Sequence, residues 1–168
     1  MDTASPSAQR AELALERLQG RVAIVLRRGA DAVWRRIAET ERVLRQAVRE
    51  VYTARFGERA PERIESTLHE RERETLTRAL RSRPSGANPL SVIDYLYLAQ
   101  LPTLLFANDT QQEARSRLGG AEDAKQRLLT AIEQIAPVRN EIAHVREVSQ
   151  DRLLKANVAC GDVLGMFG

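Results

Sequence analysis

Three side chains near the end of the chain could do chemistry together: Arg139, Asn140 and His144, within Arg139-Asn140-Glu141-Ile142-Ala143-His144. An imidazole moves protons near neutral pH, and a guanidinium binds phosphate oxygens in a planar, two-pronged way. An amide beside them can hold either group by hydrogen bonds. Side by side, these groups suit phosphodiester chemistry. On a helix, Asn140 and His144 are one turn apart and share a face. Arg139 lies about 100° from Asn140, within reach of the same edge for so long a side chain. The three can therefore converge on one phosphate.

Competing uses exist for each. Arg139 can pair with Glu141, Glu133 or a partner chain, and Asn140 can cap the turn after Pro137. A lone histidine on a helix rim is often structural. The other histidine, His69, stands amid Glu and Arg and reads as a solvated helix residue. Tyr95 and Tyr97 could stack bases, but their leucine-rich surroundings read as core. The chain has no Gly-rich phosphate loop, which disfavours a nucleoside triphosphatase. It also has no His/Cys/Asp cluster at metal-ligand spacing, and no cofactor is expected.

These residues need a helix to carry them. The stripe Leu128, Leu129, Ile132, Ile135, Val138, Ile142 and Val145 predicts a long helix from about Ala121. Pro137 inside it either kinks the helix or opens a new helical turn. Upstream, Ala11, Leu15, Leu18, Val22 and Val25 predict a helix over residues 8–28, with Gly29 as a break. A long helix follows from Ala30 through Val33, Trp34, Ile37, Leu44, Val48 and Tyr52, stopped at Phe56-Gly57. Pro61 opens a third helix that runs to about Arg81, with only a thin stripe of Ile64, Leu68, Leu76 and Leu80. Residues 82–89 form a loop. Ser91 then caps an apolar block over residues 92–98 that Pro102 stops or kinks, followed by a short turn at residues 103–106. Asn108-Asp109-Thr110 caps a short charged helix ending at Gly119-Gly120, and Ser149-Gln150-Asp151 caps a last helix through Leu153, Leu154, Val158 and Val163. No strand-like alternation or internal repeat occurs. The expected fold is an all-α, single-domain bundle of about five to seven helices over residues 8–168, behind a polar lead at 1–7.

Composition agrees with that class. The chain has 168 residues, 43% apolar and 29% charged, with only 4% aromatic. No apolar run approaches the roughly 20 residues that span a membrane. No signal peptide is visible, and the single Cys160 can form no internal disulfide, so a cytoplasmic setting is the default. Cys160 reads as a buried filler. Residues 1–83 hold 18 basic against 13 acidic side chains, and the rest 8 against 10. Nearly all the basic groups are arginine, which suits phosphate contacts and equally follows from a GC-rich coding sequence.

A helical bundle with Arg139, Asn140 and His144 late in the chain resembles the HEPN domains, and its context resembles their Swt-type branch. Residues 94–101 are similar to that branch's apolar middle block, residues 135–146 to its motif helix, and Trp34 to Gly57 to its long early helix. The resemblance spans roughly residues 30–165. It implies metal-independent RNA cleavage in a composite cleft where two motif helices meet across the two-fold axis of a homodimer. His144 would be the general acid or base and Arg139 the phosphate ligand, with Asn140 steadying either. The products would be a 2′,3′-cyclic phosphate and a 5′-OH. Glu39 and Glu41, on the early helix that faces the motif in this family, are possible supporting carboxylates or merely exposed charges. The usual setting of such domains implies a toxin or an antiphage effector, with an antitoxin or regulatory protein as partner. The rival expectation is a non-catalytic HEPN-like module that binds RNA or a nucleotide, or that dimerises and regulates a partner.

Overall fold

A computed structural model describes residues 6–82 and 86–167, leaving out the side chains of residues 6–13 and 19–28. Every regular element among the described residues is helical. The elements are α1 (Pro6–Phe56), a 3₁₀ turn (Gly57–Arg59), α2 (Ala60–Thr67), α3 (Glu70–Leu80), a 3₁₀ segment (Pro89–Tyr95), α4 (Gln100–Leu105), α5 (Gln111–Arg117), α6 (Ala124–Ala143) and α7 (Gln150–Met166). This is the all-α bundle the hydrophobic spacing predicts. No helix among the described residues is long and apolar enough to cross a membrane.

The core forms where three long helices meet. The second half of α1 buries Val33, Ile37, Thr40, Leu44, Val48, Val51 and Tyr52, a three-and-four spacing that puts them on one face. α6 contributes Leu128, Ile132, Ile135 and Val138, and α7 contributes Leu153, Ala156, Cys160 and Val163. α7 packs along both α1 and α6, while α4 and the 3₁₀ segment close the other side of α1. Tyr52 pins that side, donating its hydroxyl hydrogen bond to the Leu104 carbonyl at 3.2 Å. Cys160 is fully buried, as a filler should be.

Several junctions differ from the sequence-based expectation. α1 runs straight through Gly29 as one helix of 51 residues. A helical glycine costs only about 1 kcal/mol relative to alanine, and good helix formers flank it on both sides. The expected single helix from Pro61 to Arg81 is instead two, because Leu68 is extended (ψ 147°) and buried. His69 then begins α3, its backbone N–H bonded to the Glu72 carboxylate at 3.0 Å. Asn88, not Ser91, caps the 3₁₀ segment, accepting from the Leu90 N–H at 2.9 Å. Pro102 lies inside the first turn of α4, where its missing N–H has no helical partner to lose. Of the expected loop at 82–89, residues 83–85 lie outside the described residues. The polar lead at 1–7 does so for residues 1–5, and α1 begins at Pro6. The glycine stops hold: Gly57, Gly119 and Gly120 all have positive φ.

Candidate functional site

Arg139 and Asn140 sit on α6 just outside its buried stripe of Ile135 and Val138. Pro137 lies within the same continuous helix on the exposed side. Its missing N–H therefore leaves the Glu133 carbonyl on a solvent-facing edge, and the helix persists. Arg139 is half-buried and Asn140 exposed.

The Arg139 Nε donates to Glu41 Oε1 at 3.0 Å, across from α6 to α1. The same carboxylate uses Oε2 to pair with Arg45 at 3.3 Å, and Arg45 donates in turn to the Ile93 carbonyl. Glu41 is thus the hub of a chain of charge-assisted bonds joining α6, α1 and the 3₁₀ segment. Its side chain is only 16% exposed, which strengthens these bonds relative to surface pairs. Neither Glu141 nor Glu133 is the partner of Arg139. Glu141 instead pairs with Arg152 on α7 at 2.6 Å, locking the end of α6 to the last helix. Glu39 is exposed and has no hydrogen bond or ion pair among the described residues.

His144 stands apart from its neighbours. α6 ends at Ala143, and His144 is its exposed C-cap, not a residue inside the helix. The Arg146 N–H bonds back to the Glu141 carbonyl at 2.8 Å, and the Val145 N–H to Ile142 at 3.0 Å. This reverse-turn closure places Val145 in the left-handed region at φ 55°, with 91% of its surface exposed. Val145 therefore does not extend the core stripe as its spacing predicts. The stripe stops at Ile142, and the imidazole lies beyond it.

Arg139 and Asn140 line an open groove of about 430 Å³ between α6, α3 and the turn into α4. Arg71, Glu72 and Thr75 form the α3 wall, and Tyr97, Leu98, Ala99 and Gln100 the opposite edge. His144 is not among the groove residues. Tyr97, expected in the core, is 59% exposed. The chain is extended at Leu96 (ψ 146°), so Leu96 and Leu98 turn inward and Tyr97 between them turns out. The period-two pattern Leu96-Tyr97-Leu98 was the signal available in the sequence, and the helical reading hid it. Arg71, Gln100 and Arg45 carried no such signal. Among the described residues no group of three or more His, Cys, Asp or Glu side chains could hold a metal ion.

Comparison of the chain with protein-family models, with curated proteins and with solved structures finds no match.

Proposed function

We propose that this chain is a metal-independent endoribonuclease of HEPN type, acting as a homodimer whose two motif helices build one composite centre. The observation that carries the reading is the Glu41–Arg139 pair. A guanidinium held by its Nε at the edge of an open groove keeps its two terminal nitrogens available for a phosphate. In the transition state those nitrogens would stabilise the extra negative charge on the scissile phosphate. His144, exposed at the helix end, would take the 2′-OH proton or supply one to the leaving 5′-oxygen. Asn140 would steady the phosphate or the imidazole. The products would be a 2′,3′-cyclic phosphate and a 5′-OH. The biological setting in this reading is a cytoplasmic toxin or antiphage effector restrained by an antitoxin or a regulatory partner.

The second reading is a non-catalytic RNA- or nucleotide-binding module of the same family. It is favoured by one observation: His144 lies outside the groove that Arg139 and Asn140 line. The composite site answers this by drawing the imidazole from the second chain's motif helix.

RNA incubated with wild type, Arg139→Ala and His144→Ala in the presence of a chelator separates the two. The ribonuclease reading expects cleavage by wild type and a loss of at least about 100-fold in either variant. Cleavage that survives either substitution, or that disappears with chelator, overturns it. Light scattering supplies the second check, because a strict monomer cannot form the composite centre.

A further inference from the structure

The first half of α1 reaches beyond the bundle as an arm. Among the described side chains, the first apolar one in the chain to pack against the core is Ala30, and the fully buried positions start at Val33. Residues 14–18 are all exposed, and Leu15 and Leu18 each show 57% of their surface. At 1.5 Å per residue, the stretch 8–28 spans about 30 Å of helix. Along it, Ala8, Ala11, Leu15, Leu18, Val22 and Val25 recur in strictly alternating steps of three and four. That is the 3.5-residue repeat of a coiled-coil seam, a narrower stripe than a helix presents to a globular core. Leu15 and Val22 take the a positions, and Ala11, Leu18 and Val25 the d positions. Leu26 widens the seam, while Leu13 and Ile24 lie off it.

Charge decides what covers this seam. At 3.6 residues per turn, Arg10, Arg17, Arg21 and Arg28 fall within a strip about 40° wide along one flank. Glu12, Glu16 and Gln19 fall along the other flank. Two such helices side by side and parallel set the arginine flank of each against the carboxylate flank of its partner. An antiparallel pair would set arginine against arginine. An anionic membrane would meet carboxylates along one whole edge of the apolar face, where an interfacial helix carries basic groups. We propose that the arm is a dimerisation helix, which pairs with the same arm of a second copy of this chain as a parallel two-stranded coiled coil. Its roughly 20 residues match the number that a standard interface takes from each side. The contact uses no residue of α6, so it is separate from the motif-helix pairing of the ribonuclease reading and does not depend on it. Joined arms would also raise the effective concentration of one motif helix beside the other.

The test is analytical ultracentrifugation of the full chain and of the double variant Leu15→Glu, Leu18→Glu. Wild type is expected to be a dimer. The double variant should raise the dimer Kd at least about 100-fold, because it places four carboxylates in one apolar seam. Both substitutions lie outside the core, so the bundle should still melt cooperatively at its own temperature, which circular dichroism verifies. A second variant fixes the orientation. Ala11→Cys should give a disulfide-linked dimer under mild oxidation, since only a parallel, in-register pair brings the two copies of position 11 together. The native Cys160 is fully buried, and wild type under the same oxidant supplies the control. A monomeric wild type at about 100 μM, a double variant that stays dimeric, a stoichiometry above two, or no linkage through position 11 overturns the proposal. So does binding of a monomer to phosphatidylcholine–phosphatidylserine vesicles that the double variant loses, which would assign the arm to a membrane surface. The two readings fail separately. A dimer that needs Leu15 and Leu18 but cuts no RNA removes only the nuclease, and RNA cleavage by a dimer indifferent to both leucines removes only the arm.

Discussion

Arg139 takes its direction from a carboxylate 98 positions earlier in the chain. A free arginine samples many rotamers, and ordering it costs up to about 2 kcal/mol of side-chain entropy. In the proposed ribonuclease, Glu41 meets that cost in the folded protein before any phosphate arrives. Glu41→Gln keeps the shape but weakens the acceptor, leaving Arg139 less well placed. Expected is a fall in kcat of about 10- to 100-fold, the cost of a slightly misplaced charge, together with a lower melting temperature, because Glu41 is largely buried between two arginines. An unchanged kcat would show that Glu41 is only structural. How much of this was legible in the sequence differs by residue. Arg139, Asn140 and His144 stand out by type and spacing. Glu41 could be suggested only alongside Glu39, since both lie on the same helix and neither is near the motif in sequence. The structure separates them: Glu41 touches Arg139, and Glu39 faces solvent. Tyr97 was hidden, because its exposure follows from backbone direction at one extended residue.

At the scale of elements, the end of α6 carries measurable strain. A β-branched residue in the left-handed region costs roughly 1–2 kcal/mol. Val145 occupies it at φ 55° with almost no burial to compensate. Val145→Asn, which tolerates that conformation, is expected to raise stability by about 1 kcal/mol, read as a higher denaturation midpoint at constant m-value. A lower midpoint would mean that the valine makes contacts worth more than its strain. Helix interiors were readable because a three-and-four repeat of apolar residues is a strong periodic signal, as along α1 from Val33 to Tyr52 and along α6 from Leu128 to Val138. Helix ends were not. Leu68 and Leu96 turn extended because they are buried by residues distant in sequence, and nothing local announces it. Gly29 announces a break that the surrounding helix formers override.

For the molecule as a whole, the all-α class followed from composition and period, whereas the way α7 lies along both α1 and α6 did not. Two titratable groups report on the core, Cys160 on the buried face of α7 and Tyr52 on the α4 side. Burial pushes the Tyr52 phenol above its ordinary 10.0 and the Cys160 thiol above its ordinary 9.0. In each case the folded protein holds the proton that the unfolded chain releases. Stability therefore stays level below about pH 9 and falls as the pH rises through 9 and 10. Thermal melts from neutral to strongly alkaline pH test this. Tyr52→Phe should flatten the part of the decline above pH 10, at the expense of about 1 kcal/mol for the lost bond to Leu104. A decline that begins below pH 8 would point to other groups.

The span between Glu41 and Arg139 also has a meaning in time. Translation proceeds at about 5–20 residues per second, so roughly 5–20 seconds separate the appearance of the first from that of the second. The groove needs Arg71, then Tyr97 and Gln100, and last Arg139 and Asn140. A nascent chain thus owns a long first helix well before it owns a site. In the proposed ribonuclease, a centre assembled in this order would stay inert while its own messenger is being read, and would become competent only when the closing helices dock.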